Sequence, residues 1–187
     1  MNPLKYVAIA LFTIMVLSSG YKRPERYIID AVKNASRHNT MGVDYLQERA
    51  YYGAIQEFKI AISLNPNTQA SAVYYNNLGE TYMIIGYPML ALDCFDRAIK
   101  LNGLNLKFYQ SLASCYNKMG TTQSMISKYK VSKNPLDKVM LGLLYIDLGD
   151  TEKGIFILDE FIMSEPDLLI TPSVSQYLKE VLDNKLD

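Results

Sequence analysis

The chain has 187 residues, and its 19 Lys and Arg residues balance 19 Asp and Glu residues, so the formal net charge is zero. A chain of this length can bury a sizeable core as one domain, whereas the charge balance provides no general positive field that would attract nucleic acid. The sequence contains 15 tyrosines and no tryptophan. Tyrosine suits interaction surfaces, because its ring packs while its hydroxyl reaches water or a partner.

Residues 1–20 have a short polar start, an apolar run from Tyr6 to Leu17, and small residues up to Gly20. This layout is typical of a secretory signal, and the run is shorter than the roughly 20 residues of a spanning helix. Three positively charged residues follow: Lys22, Arg23 and Arg26. Because positive charges there oppose translocation, an N-terminal membrane anchor is the alternative. Both interpretations predict a protein of the cell envelope.

Residues 35–166 contain four copies of one pattern of small and aromatic residues. In the second copy, Gly79 is followed by Tyr82, Gly86, Ala91 and Phe95, at gaps of three, four, five and four residues. The other copies place a small residue before tyrosine in the same way: Gly42 and Tyr45, Ala113 and Tyr116, and Gly142 and Tyr145. Apolar residues three and four apart predict two short amphipathic helices per copy. One pair cannot bury both of its faces, so we expect the pairs to stack.

The copies are expected at residues 35–71, 72–105, 106–134 and 135–166. Gly86, Gly120 and Gly149 separate the two helices of their copies, where they predict helix C-caps, and Arg49 takes this place in the first copy. The third copy ends early at Pro135, which predicts a shortened second helix. Residues 21–34 are expected to be a linker or an extension of the first helix, and residues 167–187 a capping helix.

The second copy contains two short motifs: Tyr75-x-x-Leu78-Gly79-x-x-Tyr82 and Ala91-x-x-x-Phe95. They resemble the tetratricopeptide repeat, and the resemblance covers residues 35–166. It implies an all-α fold, a right-handed α-solenoid of about four helix pairs with a C-terminal capping helix. It also implies a non-enzymatic scaffold or adaptor for protein–protein interaction.

In this family the first helix of each pair lines a concave groove that holds an extended peptide or a helix. The resemblance therefore implies a partner-binding groove made of residues from all four copies. The first two copies contribute Asn39, Val43, Asn76, Asn77, Glu80 and Met83. The last two contribute Lys107, Gln110, Ser111, Ser114, Asn117, Val139, Met140 and Leu143. Amide side chains at such positions hold a peptide backbone as both donors and acceptors.

Two features of this groove differ from the family's best-known example, which clamps a chain-terminal carboxylate. Only Asn77 and Lys107 match that clamp, while Val43 and Ser111 replace an amide and a cation, so we do not expect a C-terminal carboxylate to bind. The inner face of the fourth copy is apolar instead. It is either a pocket for an apolar anchor of the partner or a surface covered by residues 167–187. Self-association through this face, giving a structural homo-oligomer, is the alternative function.

The sequence shows no constellation typical of catalysis or of metal or cofactor binding. His38 is the only histidine, and because it stands where Tyr75 stands in the next copy, we expect it to pack. Cys94 and Cys115 lack the spacing of a metal site, and we expect both to be buried, with a disulfide between neighbouring helices left open. We therefore expect no enzymatic activity, no cofactor and no nucleic-acid partner.

Overall fold

The computed structural model describes residues 30–186, with side chains for residues 30–183. Within these residues the chain forms nine helices and no strand. They are α1 (Ala31–Gln47), α2 (Tyr51–Leu64), α3 (Gln69–Ile84), α4 (Pro88–Leu101), α5 (Leu106–Lys118), α6 (Thr122–Lys130), α7 (Pro135–Asp147), α8 (Thr151–Ser164) and α9 (Thr171–Leu186). The predicted all-α solenoid of helix pairs is confirmed.

The helices pack as sequential pairs that stack on one another. The pairs α1 with α2, α3 with α4, and α7 with α8 have the most extensive contacts. Each second helix also packs on the first helix of the next pair, as α2 does on α3 and α4 on α5. Helix α9 packs on α8 and adds Val174 and Leu178 to the main core, which is how a capping helix covers the end of a stack.

Three of the pairs are held by the contact of a glycine with a large side chain. A Cβ atom at Gly42 would lie 2.5 Å from Cε1 of Phe58, and one at Gly79 would lie 2.6 Å from Cε1 of Phe95. At Gly142, it would lie 2.6 Å from Cδ2 of Leu158. Since real Cβ contacts are longer than this, glycine is what allows the paired helices to approach so closely.

The third pair lacks this contact and is built differently. Ala113 stands where the other copies have glycine, and α6 has 9 residues where α2, α4 and α8 each have 14. The predicted shortening of this helix is confirmed. Helix α6 touches its own partner α5 only sparsely, and α7 packs directly on both α5 and α6.

Left-handed backbone conformations end the first helix of each pair. The φ angles are +85° at Gly86, +70° at Gly120 and +93° at Gly149. Arg49 adopts the same conformation in the first pair, with a φ of 61°. Glycine adopts this conformation without steric cost, whereas a side chain makes it unfavourable.

None of the helices in the described residues is long and apolar enough to cross a membrane. The apolar run of residues 6–17 and the three positive charges after it lie outside the described residues. The signal-peptide and anchor interpretations therefore stay predictions.

Candidate functional site

A cavity of about 470 Å³ lies between α3 and α5, the first helices of the second and third pairs. We call it the groove cavity. Its lining residues are Glu80, Met83, Ile84, Phe95, Lys107, Gln110, Ser111 and Ser114. Six of these eight were implied by the resemblance, so the fold brings that part of the predicted groove into one place.

Glu80 organises the polar wall of the groove cavity. Its Oε1 atom accepts hydrogen bonds from Nδ2 of Asn76 at 2.9 Å and from Oγ of Ser111 at 3.2 Å, and lies 3.2 Å from Nζ of Lys107. The Lys107 and Glu80 side chains are 60% and 31% exposed. An ion pair this exposed contributes little to stability. Its main effect is to hold the Lys107 ammonium beside the Glu80 carboxylate.

The predicted residues at the two ends of the groove make contacts of their own. Nδ2 of Asn77 donates to Oδ1 of Asn39 at 2.9 Å, which joins α3 to α1. Val43 is half-buried and packs against the main core. Asn117 is exposed, and its Nδ2 lies 3.4 Å from the carbonyl oxygen of Asp147. These four residues do not line the cavity.

Four of the predicted groove residues are buried, so their assignment to an accessible surface is wrong. Asn76 is 1% exposed, and Val139, Met140 and Leu143 are 0%, 1% and 2% exposed. The buried Asn76 donates a hydrogen bond to the Glu80 carboxylate and so helps to position it. The other three lie on α7, which packs directly on α5 because α6 is short, and they belong to the same core as residues of α9. The fourth copy therefore offers no apolar face there for a partner's anchor or for self-association.

Two residues of the groove cavity were not identified from the sequence. Ile84 is 52% exposed at the end of α3, and the buried Phe95 of α4 also lines the cavity. The two adjacent isoleucines, Ile84 and Ile85, are the sequence feature that indicates an exposed apolar residue here. Only one of two adjacent helical residues can face the core, and Ile85 does so.

The histidine and the cysteines have structural surroundings. Nδ1 of His38 lies 2.6 Å from Oε2 of Glu57, which ties α1 to α2. Cys94 and Cys115 are free and buried. Burial raises the pKa of the Cys94 thiol to about 12 and that of Cys115 to about 11. The part of the chain that the structure describes contains no group of three or more His, Cys, Asp or Glu residues arranged to hold a metal ion.

Two relatives share sequence or fold with parts of this chain. Human serine/threonine-protein phosphatase 5 is 31% identical over 110 residues, which is 58% of this chain and 21% of that protein. The chain thus matches about a fifth of the length of this curated relative. The TPR domain of Sgt2 from Aspergillus fumigatus superposes with a TM-score of 0.50 at 16% identity, covering 67% of this chain and 82% of that domain.

A third similarity is weaker. The structure of YrrB, described as a TPR protein with an unusual peptide-binding site, has a TM-score of 0.45 at 20% identity, covering 76% of this chain and 74% of that one.

Residues 72–103 and 138–168 each match the family model of the tetratricopeptide repeat. These two matches fall on the α3–α4 and α7–α8 pairs, which have the glycine contacts described above. The second and fourth helix pairs of this chain are therefore tetratricopeptide repeats.

Proposed function

We propose that this protein is a non-enzymatic scaffold that binds an extended peptide or a helix of a partner protein in the groove between α3 and α5. The observation that carries the proposal is the groove cavity itself, whose volume of about 470 Å³ is within the range of about 300–1,000 Å³ typical of ligand sites. It combines an apolar wall with a few fixed polar groups. This is the usual composition of a binding site.

The walls of the cavity indicate what the partner presents. Met83 and Ile84 offer apolar surface, and methionine adapts its shape to different occupants. On the opposite side, Gln110 and Ser111 offer donors and acceptors to a peptide backbone. Lys107 is already paired with Glu80. The partner therefore inserts an apolar side chain and aligns its backbone amides along α5, rather than delivering a free carboxylate to Lys107.

The proposal includes a membrane-associated setting at the cell envelope. It rests on the apolar run of residues 6–17, which is typical of an export signal or a membrane anchor. In this setting the repeats stand beside the membrane and hold a partner within a complex there.

Site-specific photo-crosslinking tests the binding surface. A photoreactive amino acid replaces Ser114, an exposed residue that lines the groove cavity, and in a matched variant it replaces Ser127, an exposed residue of α6 outside it. The full chain is expressed in its native cells and irradiated. We expect a covalent adduct with a distinct protein at position 114 and none at position 127. Adducts of equal yield at both positions, or adducts at position 127 alone, would contradict the proposal.

A further inference from the structure

A second cavity, of about 240 Å³, lies among four consecutive helices of the second, third and fourth copies. Its lining residues are Asp96, Ile99, Gly103, Tyr109, Leu112, Tyr129, Asn134, Leu136, Asp137 and Met140. It exists because the short α6 does not close against α5, so that α4, α5, α6 and α7 each supply a wall. We call it the interhelix pocket, and it shares no lining residue with the groove cavity.

Two carboxylates and two tyrosines stand together in the interhelix pocket. Burial raises the pKa of Asp96 even though Lys100 and Lys128 act to lower it. Burial and the neighbouring charge of Asp137 raise the pKa of Tyr109 to about 12. Tyr129 has a raised pKa from burial and from several neighbours, Asp96 and Asp137 among them. The carboxylates and the phenols are thus close enough to influence one another in a partly desolvated space.

The pocket's own residues leave this negative charge poorly compensated. Within the described part of the chain, the ion pairs do not include Asp96 or Asp137. Asp137 accepts a hydrogen bond from Oγ of Ser132. Lys100 and Lys128 influence Asp96 but do not line the pocket. Asp96 is a half-buried carboxylate without an ion-pair partner, which is unfavourable, and a bound cation would reduce that cost.

We propose that the interhelix pocket binds an alkylguanidinium group. A guanidinium is planar, stacks on aromatic rings and donates to carboxylates from a rigid fork, which fits two tyrosines beside two aspartates. The hydroxyl of Tyr109 donates to the carbonyl oxygen of Gly103 at 3.0 Å, so its lone pair is left to accept from such a donor. A volume of about 240 Å³ is below that of drug-sized sites and suits a single side chain or a small cation.

Isothermal titration calorimetry of the full chain tests this proposal with N-acetyl-L-arginine amide as the probe. The matched control ligand is N-acetyl-L-citrulline amide, which has nearly the same shape and no charge. Agmatine, the free amine that carries the same guanidinium, distinguishes a small-molecule source from an arginine side chain of a protein. We expect the arginine probe or agmatine to bind and the citrulline compound not to bind.

Three variants locate the binding. Asp96→Asn should weaken binding by roughly tenfold, because it removes a hydrogen bond between charged groups. Asp93→Asn makes the same charge change on the exposed side of the same helix, outside the pocket lining, and should have a much smaller effect. Lys128→Gln should strengthen binding, because this lysine stands 5.5 Å from the centroid of the Tyr129 ring and competes for the negative charge.

Each outcome of these titrations either supports or overturns the proposed guanidinium site. Binding of agmatine alone supports the site with a small-molecule source, and binding of the arginine probe supports it with a protein source. Equal binding of the arginine and citrulline compounds, or an absence of binding by both cations, overturns the proposal. So does an Asp96→Asn variant, folded by circular dichroism, that binds as tightly as the wild type. Since Lys128→Gln changes an exposed residue, its sign remains decisive if Asp96→Asn fails to fold.

Discussion

Replacing Gly79 by alanine tests the close contact on which the repeat packing depends. The new Cβ atom would lie 2.6 Å from Cε1, 2.9 Å from Cδ1 and 3.0 Å from Cζ of Phe95. The Phe95 ring is 1% exposed, so it has little free space into which to move. Overpacking of this kind costs about 1–3 kcal/mol, and alanine recovers about 0.5–1 kcal/mol over glycine inside a helix. We expect the free energy of unfolding to fall by about 1 kcal/mol.

The same substitution should have the opposite sign when the ring is absent. In a Phe95→Ala background, itself destabilised by about 3–5 kcal/mol, Gly79→Ala meets no ring and should stabilise by about 0.5–1 kcal/mol. Urea unfolding followed by far-ultraviolet circular dichroism measures all four proteins of this cycle. Gly53→Ala is the control, because its Cβ would lie 3.3 Å from the ring of Tyr45, which is 37% exposed and free to yield. Equal effects of Gly79→Ala in both backgrounds would refute the packing account.

Three further predictions concern the backbone, the thiols and a helix cap. Arg49→Gly should raise the free energy of unfolding by about 1 kcal/mol in urea titrations, since Arg49 has a φ of 61° that glycine adopts without strain. The pKa values of Cys94 and Cys115 are raised from 9.0 to about 12 and about 11, so the folded form keeps protons that the unfolded chain releases. Stability should therefore fall as the pH rises above about 9, as urea midpoints at increasing pH would show. Thr68→Ala removes the hydroxyl that caps α3 and should cost about 1 kcal/mol, with faster amide exchange in the first turn of that helix.

The repeat fold was predictable from the sequence because local steric requirements determine it. A glycine such as Gly79 must face a ring such as Phe95 sixteen residues later, and both residues recur at fixed gaps. The left-handed turn at Gly149 follows from the same spacing. The weak third copy was also visible, because Pro135 ends it early.

The accessibility of the groove residues was not predictable to the same degree. Burial of Val139 and Leu143 depends on how far α6 extends and on where α7 settles, which are properties of several helices together. Likewise, the contact of His38 with Glu57 joins residues 19 positions apart on two helices. Neither residue's pattern in its own helix reveals such a partner. Pro135 predicts the short α6, but the walls of the interhelix pocket come from four helices whose packing together the sequence does not reveal.

Affinity for a partner through the groove cavity is the central claim. The direct measurement is the dissociation constant of the peptide mapped by crosslinking at position 114, determined by fluorescence anisotropy with the full chain. Ser114→Arg fills the cavity, and Ser127→Arg places the same side chain on exposed α6. We predict that Ser114→Arg weakens binding at least roughly tenfold, which corresponds to about 1.4 kcal/mol, while Ser127→Arg leaves it unchanged. Equal affinity of the two variants for the peptide would contradict the account.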